Sequence, residues 1–339
     1  MLLLVAAALP TPALADHVGP SGFGGGRGAA VFSADTLDQG HWAAGLRLTL
    51  TRPEQRSDTE LAALAGQHIH AHNTDYNLGA SLGLAYGISH RLTVSAELPY
   101  VRRDDLREGT HAHAGGIALN GVEQLGGVAG IGDMSLLAKY RLTGEGREGF
   151  ALVGGLKLPT GGTHQRSRDG ERLETEHQPG TGSWDPLLGA TAAMPLGAVT
   201  LTASALYQFS RRGAQHTRLG NRLQGGLALS HRFGQPPHQH GEAHSRHHGD
   251  ELDEHAEKPA PSWDAFVELG GEWEGRQTVD GEVEAGSGGK WAYLAPGLRY
   301  NAASGWSAAA ALALPVWQRI RASHPDNRFR LILSFGRAF

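Results

Sequence analysis

From residue 41 to the C-terminus, apolar and polar residues alternate with period two, in segments of about ten residues. Tyr76, Leu78, Ala80, Leu82, Leu84 and Tyr86 form one row, and Asn77, Gly79, Ser81, Gly83, Ala85 and Gly87 form the other. The next segment sets Leu92, Val94, Ala96, Leu98 and Tyr100 against Arg91, Thr93, Ser95 and Glu97. Successive side chains of a strand point to opposite faces. Each segment therefore has one greasy face and one polar or small face, which suits a strand between lipid and a polar interior. A soluble sandwich also alternates, so the pattern alone does not decide between them.

The placement of aromatic residues helps decide. They make up only 7% of the chain, yet they gather where segments begin and stop. One rim would carry Trp42, Tyr86, Tyr140, Phe150, Phe233, Trp263, Tyr300 and Trp306, and the other Tyr76, Tyr100, Trp184, Tyr207, Trp273, Trp291 and Phe329. Two aromatic girdles around an aliphatic band are what bilayer interfaces select. Twelve segments emerge, at 41–51, 76–87, 91–101, 132–143, 149–159, 184–194, 199–209, 221–233, 263–273, 291–301, 306–316 and 328–339. Short and long connections alternate between them. The expected fold is all-β: a transmembrane antiparallel β-barrel of about 12 strands, with long extracellular loops at 52–75, 102–131, 160–183, 210–220, 274–290 and 317–327. An even strand count places both termini in the periplasm. The last segment presents Phe329, Leu331, Leu333 and Phe335 on one face and ends in Phe339, a pattern that resembles the signal read by outer-membrane assembly machinery.

The N-terminus is an apolar run ending in Ala13-Leu14-Ala15, a small-x-small cleavage site. Residues 1–15 are therefore read as a signal peptide, and the mature chain should begin at Asp16. The basic stretch that usually precedes such a run is missing, and a true start further upstream is expected. Segment 16–40, with glycines from Gly19 to Gly28, could thread into the lumen as a plug. Residues 41–339 form the barrel. One connection breaks the length rule: where a short periplasmic turn is due, residues 234–262 form a low-complexity, charged, His-rich insert expected to be disordered. Absent cysteine suits a chain that crosses an oxidising compartment, and is also common in the cytosol. The net charge of -4 argues against nucleic acid as a partner. The expected partners are outer-membrane lipid, the assembly machinery and a small-molecule solute.

Several stretches resemble the outer-membrane family known as meta-pathway phenol-degradation proteins, also called outer-membrane transporters. They are Gly87-Ile-Ser-His-Arg-Leu-Thr-Val-Ser-Ala-Glu-Leu-Pro-Tyr100, Gly130-Ile-Gly-Asp-Met-Ser-Leu-Leu-Ala-Lys-Tyr140, Gly155-Leu-Lys-Leu-Pro-Thr-Gly161, Gly180-Thr-Gly-Ser-Trp-Asp185 and Tyr293-Leu-Ala-Pro-Gly-Leu-Arg-Tyr300. Their order along residues 76 to 339 carries more weight than any one of them. The resemblance implies a barrel that passes small molecules, with aromatic ones as candidates. The His-rich insert is not part of it.

By alternation, Arg47, Arg91, Glu97, Asp133, Lys139, Arg141, Lys157, Asp185, Arg222, Glu268, Arg299 and Arg330 would face the lumen. They could select a solute, or they could be paired charges that fill a narrow barrel, since unpaired buried charge is costly. Histidine is unusually frequent, at 19 residues. His238, His240, His244, His247, His248 and His255 lie in the insert beside Asp250, Glu251, Asp253 and Glu254. Two further clusters, His68-x-His70-x-His72 and His111-x-His113, fall in outer loops. Imidazole with carboxylate and no thiolate suits Zn(II), Cu(II) or Ni(II). Simple solvation would explain both groups as well. No cofactor is required, and no Gly-x-Ser-x-Gly nucleophile motif is present, so no enzyme is expected. The leading reading is a channel or transporter for small solutes. Alternatives are a metal-homeostasis barrel with divalent ions as cargo or regulator, and a non-transporting structural barrel.

Overall fold

The computed structural model describes residues 29–114, 117–144, 148–234 and 261–339. The stretch read as a signal peptide, most of the Gly-rich segment and nearly all of the His-rich insert lie outside the described residues. Among the described residues sixteen strands form: β1 (Trp42–Pro53), β2 (His72–Asn73), β3 (Tyr76–Ser89), β4 (Leu92–Ala114), β5 (Ile117–Ile131), β6 (Ser135–Thr143), β7 (Gly149–Lys157), β8 (Asp185–Leu196), β9 (Val199–Gln208), β10 (Arg222–Phe233), β11 (Ser262–Glu274), β12 (Thr278–Val279), β13 (Glu282–Val283), β14 (Gly289–Asn301), β15 (Trp306–Ile320) and β16 (Asn327–Ala338).

Twelve of these strands, β1, β3, β4, β6 to β11 and β14 to β16, follow one another around an antiparallel ring. The ring closes where β16 pairs with β1, Leu46 opposite Phe335 and Leu50 opposite Leu331. At that seam Trp42 N–H donates to the Phe339 carbonyl and Phe339 N–H to the Trp42 carbonyl, both at 2.8 Å. A closed ladder satisfies every strand edge internally, which hydrocarbon demands.

The two faces of the ring divide as the alternation requires. Leu82 is 52% exposed on the outside while its neighbour Ser81, at 1%, is buried inside. Leu188, Leu227, Leu269 and Leu298 continue the exposed belt. An apolar surface of that extent cannot stand in water, and the protein is a bacterial outer-membrane barrel. At the short-turn end, Trp42 packs on Tyr86 with ring centroids 4.6 Å apart. Trp263, Tyr300 and Trp306 form a ladder there with spacings of 5.0 and 5.3 Å. Tyr207 stacks with Trp273 at the other rim, at 6.2 Å. Trp291 departs from the girdle expected of it: together with Tyr293 it is buried inside. On β14 the odd positions share a face with lumenal Arg299, so parity along the strand outweighs the preference of an aromatic for the rim.

The turn between β8 and β9 at the short-turn end is tight. Gly197 and Ala198 alone link β8 to β9, with Gly197 at φ 62°, the left-handed conformation such hairpins need. At the opposite end the stretch 102–131, expected to be a loop, is instead a ribbon. β4 runs on to Ala114 and pairs with β5 from Tyr100 opposite Ile131 to Ala114 opposite Ile117. Helix α1 (Asp58–Ala65) lies against it, started by a capping box between Ser57 and Glu60. The helix approaches so closely that a Cβ on Gly109 would stand 2.3 Å from the Leu61 carbonyl oxygen.

Candidate functional site

The strands turn a paired set of charges into the lumen. Arg47, Glu97, Asp133, Lys139, Lys157, Asp185, Arg222, Glu268, Arg299 and Arg330 are buried, and Arg141 is half-buried. Arg91 differs from its expected place. It is exposed in the turn between β3 and β4, because the strand ends at Ser89 after a register shift. Lys157 Nζ sits 2.7 Å from Asp133 and 3.0 Å from Asp185. Arg330 lies 2.9 Å from Glu272, with its guanidinium 4.5 Å over the Tyr293 ring. Arg222 meets Glu274 at 3.4 Å, and Arg232 grips Asp264 with two bonds of 2.7 and 2.8 Å. Leaving any of these charges alone at such depth would be expensive.

The trio around Lys157 also anchors an outer loop. Asp133 accepts the backbone N–H of Gly161 at 2.9 Å and of Thr181 at 2.8 Å. Asp185 accepts the Gln208 amide at 2.9 Å and Arg211 N–H at 2.8 Å. Residues 158–184, between β7 and β8, are thereby drawn onto the mouth.

The chain before β1 crosses the lumen. Glu268 accepts the N–H groups of Ala30 and Val31. Thr191 donates to the Phe32 carbonyl at 2.7 Å, Lys139 to the Ser33 carbonyl at 3.0 Å, and Leu37 N–H reaches Thr93 at 2.8 Å. These partners lie on β11, β8, β6 and β4, so the segment spans the interior. Its apolar side chains find apolar wall: Phe32 packs with Leu137, Val153, Leu187 and Leu206. Ala29 joins Phe266, Trp291 and Tyr293. The inward aromatics of β11 and β14 are thus part of a seat for this segment.

The structure regroups the outer histidines: His68, His70 and His111 line one cavity, with His70, Glu108 and Glu174 within metal-ligand reach of one another, and His72 is set apart from them. His68 packs edge-on to His111, centroids 4.7 Å apart, and His111 Nδ1 lies 2.6 Å from the Asn120 side chain. His70 faces Glu108 at 3.6 Å, and that carboxylate raises the His70 pKa to about 9. His72 turns the other way and is buried. The reason is local: His68 has φ 59°, so these residues do not run as one strand, and only His72 enters β2. His113 belongs to the ribbon, with its backbone opposite Ala118. The six histidines from His238 to His255 lie outside the described residues.

What the fold does assemble is a group drawn from separate loops. Nδ1 of His72 lies 3.7 Å from Glu176 Oε1, and Nε2 of His177 lies 3.7 Å from the same oxygen. The His72 ring stands nearly perpendicular to His177 at 4.7 Å and to His324 at 4.6 Å. Glu108 Oε2 is 3.9 Å from His177 Nε2. A cavity of about 420 Å³ beside the group is lined by His68, His70, Glu108, His111, Glu174 and His177. Burial and the like charge of Glu108 raise the Glu174 pKa. Sequence reasoning missed Glu174, Glu176, His177 and His324, because their partners are far away in the chain and no short motif joins them.

No family model matches the chain, and no curated protein matches it. Among solved structures, an outer membrane channel from Pseudomonas putida F1 is similar with a TM-score of 0.56 and 16% identity, covering 90% of this chain and 98% of that one. The β domain of the Bordetella autotransporter BrkA gives 0.46 at 12% identity, covering 89% and 100%. The Ralstonia pickettii toluene transporter TbuX gives 0.33 at 11% identity, covering 89% and 90%. The first of these likenesses supports the fold; the other two are weaker.

Proposed function

We propose that the protein is a passive outer-membrane channel for small solutes, including aromatic ones. The observation that carries this reading is that a single extended segment crosses the described lumen and is held there by hydrogen bonds and a few apolar contacts. Such a segment can yield to a solute. The aromatic wall of Phe266, Trp291 and Tyr293, next to Arg330, offers a place for a flat ring bearing a negative charge. The likeness to the Pseudomonas putida channel agrees with the reading. Segment 16–40 acts in it as a plug, and the His-rich tract at 238–255 binds Zn, Cu or Ni loosely. Swelling of liposomes carrying the refolded protein tests it. Aromatic carboxylates should enter, and faster when residues 16–37 are deleted. Liposomes that stay impermeable to every small solute, plug deleted or not, would rule the channel out.

A second reading takes divalent metal ions as cargo or regulator. The imidazole and carboxylate groups of the outer loops favour it. Zinc and copper flux into the same liposomes separates the two.

A further inference from the structure

The group around His72 lies where loops from distant parts of the ring meet. Residues 54–75 join the first and second barrel strands, 158–184 the fifth and sixth, and 321–326 the eleventh and twelfth. The last two loops arise on opposite sides of the ring, so they can share a neighbour only across the mouth. His72 is that neighbour, in ring contact with both His177 and His324.

We propose that His72, Glu176 and His177 form a site for a divalent transition-metal ion of the zinc class, with His324 as an adjacent third imidazole, and that the bound ion ties the outer loops together across the mouth. One ligand atom from each of the first three residues lies within 4.8 Å of the others. Tetrahedral zinc, with bonds of about 2.0–2.2 Å, sets its ligands about 3.3 Å apart. The two separations to Glu176, both 3.7 Å, therefore need to contract by only a few tenths of an ångström, and the two imidazole nitrogens start within 4.8 Å of each other. Two imidazoles and a carboxylate select zinc, copper or nickel over calcium or magnesium, which prefer oxygen. The backbone that carries the ligands is already fixed. Arg103 donates to the His177 carbonyl at 2.7 Å, Arg56 to the His324 carbonyl at 2.7 Å, and His72 N–H to the Ser323 carbonyl at 3.0 Å. Such outer support orients ligands and strengthens binding. The adjoining cavity, lined by further histidines and glutamates, gives an ion a route from outside. The site stands whether or not the lumen conducts.

The test uses the full chain refolded in detergent, dialysed against zinc chloride, with bound zinc counted by elemental mass spectrometry. His72→Ala and His177→Ala should each bind one zinc ion fewer per chain than the parent. Glu176→Gln, which keeps the side chain's shape, should weaken that ion on the order of tenfold or more. Replacing His244, His247 and His248 by alanine should lower the count separately and leave this ion in place. Zinc should also slow tryptic cleavage at Arg166, Arg168 and Arg172 in the parent and not in His177→Ala. Heat-modifiable gel mobility confirms that each barrel is folded. If His177→Ala fails to fold, the zinc affinity of Glu176→Gln decides the question. Unchanged zinc stoichiometry and affinity in the folded variants would overturn the proposal.

Discussion

Glu268 on β11 accepts the backbone N–H of Ala30 at 2.7 Å and of Val31 at 3.0 Å. One wall carboxylate thus holds two successive amides of the segment that crosses the lumen. A hydrogen bond to a charged group is worth about 1.5–3 kcal/mol net. Glu268→Ala should release this end of the segment while the ladder around it stays intact. Planar-bilayer recordings should show a larger open fraction or conductance than the parent. The same current in both would mean that this contact does not hold the lumen shut.

The Lys157 trio should behave as a unit. Lys157→Met leaves Asp133 and Asp185 facing each other without their cation, and breaking a buried pair in this way costs about 3–5 kcal/mol. Loop 158–184 should then become open to protease from outside, and thermal unfolding in detergent should come earlier. The double change of Lys157→Met with Asp185→Asn should recover part of the loss. A single variant as stable as the parent would show that the charges are solvated.

The lipid face makes a sharper claim. Leu82 and Leu227 stand on the exposed belt. Arginine at either, if at the bilayer midplane, should cost ~2–4 kcal/mol of folding into lipid, and alanine much less. Denaturant titration in vesicles measures both. Equal losses for arginine and alanine would place these side chains elsewhere than in hydrocarbon.

The His-rich tract yields a prediction that depends on pH. Neutral imidazole is the ligand, so protons compete with metal near the ordinary histidine pKa of ~6.5. Deleting 236–256 should leave the barrel folded and remove the loosely bound ions. Those ions should be held at pH 7.5 and lost at pH 5.5 in zinc dialysis. Equal binding at both values would leave a solvated linker.

The ring itself is legible in the sequence because a strand's side chains alternate whatever their surroundings. The rows through Leu82 and Ser81 can be read without knowing any partner. Alternation fails where a second influence enters. Trp291 has the spacing of a rim aromatic, but its strand face is set by the ladder, and inside it finds Ala29 to pack against. The ribbon of β4 and β5 reads as a loop because it leaves the membrane, where lipid no longer imposes an apolar row. The histidines mislead most. His72 parts company with His68 and His70, which stay on one cavity, while His72, His177 and His324 are remote in sequence and meet. Only contacts across loops reveal that, and no local period encodes them.

The exchange of backbone hydrogen bonds between Trp42 and Phe339 has a consequence for the order in which the molecule can be made. The first strand finds its second partner only when the last residues exist, so no growing portion can close on itself. Every earlier product is an open sheet with two bare edges. Each unsatisfied backbone group exposed to hydrocarbon costs several kcal/mol. Loss of β16 would therefore not give a slightly weaker barrel. It would leave one edge of β1 and one edge of β15 bare, and the ring could not close.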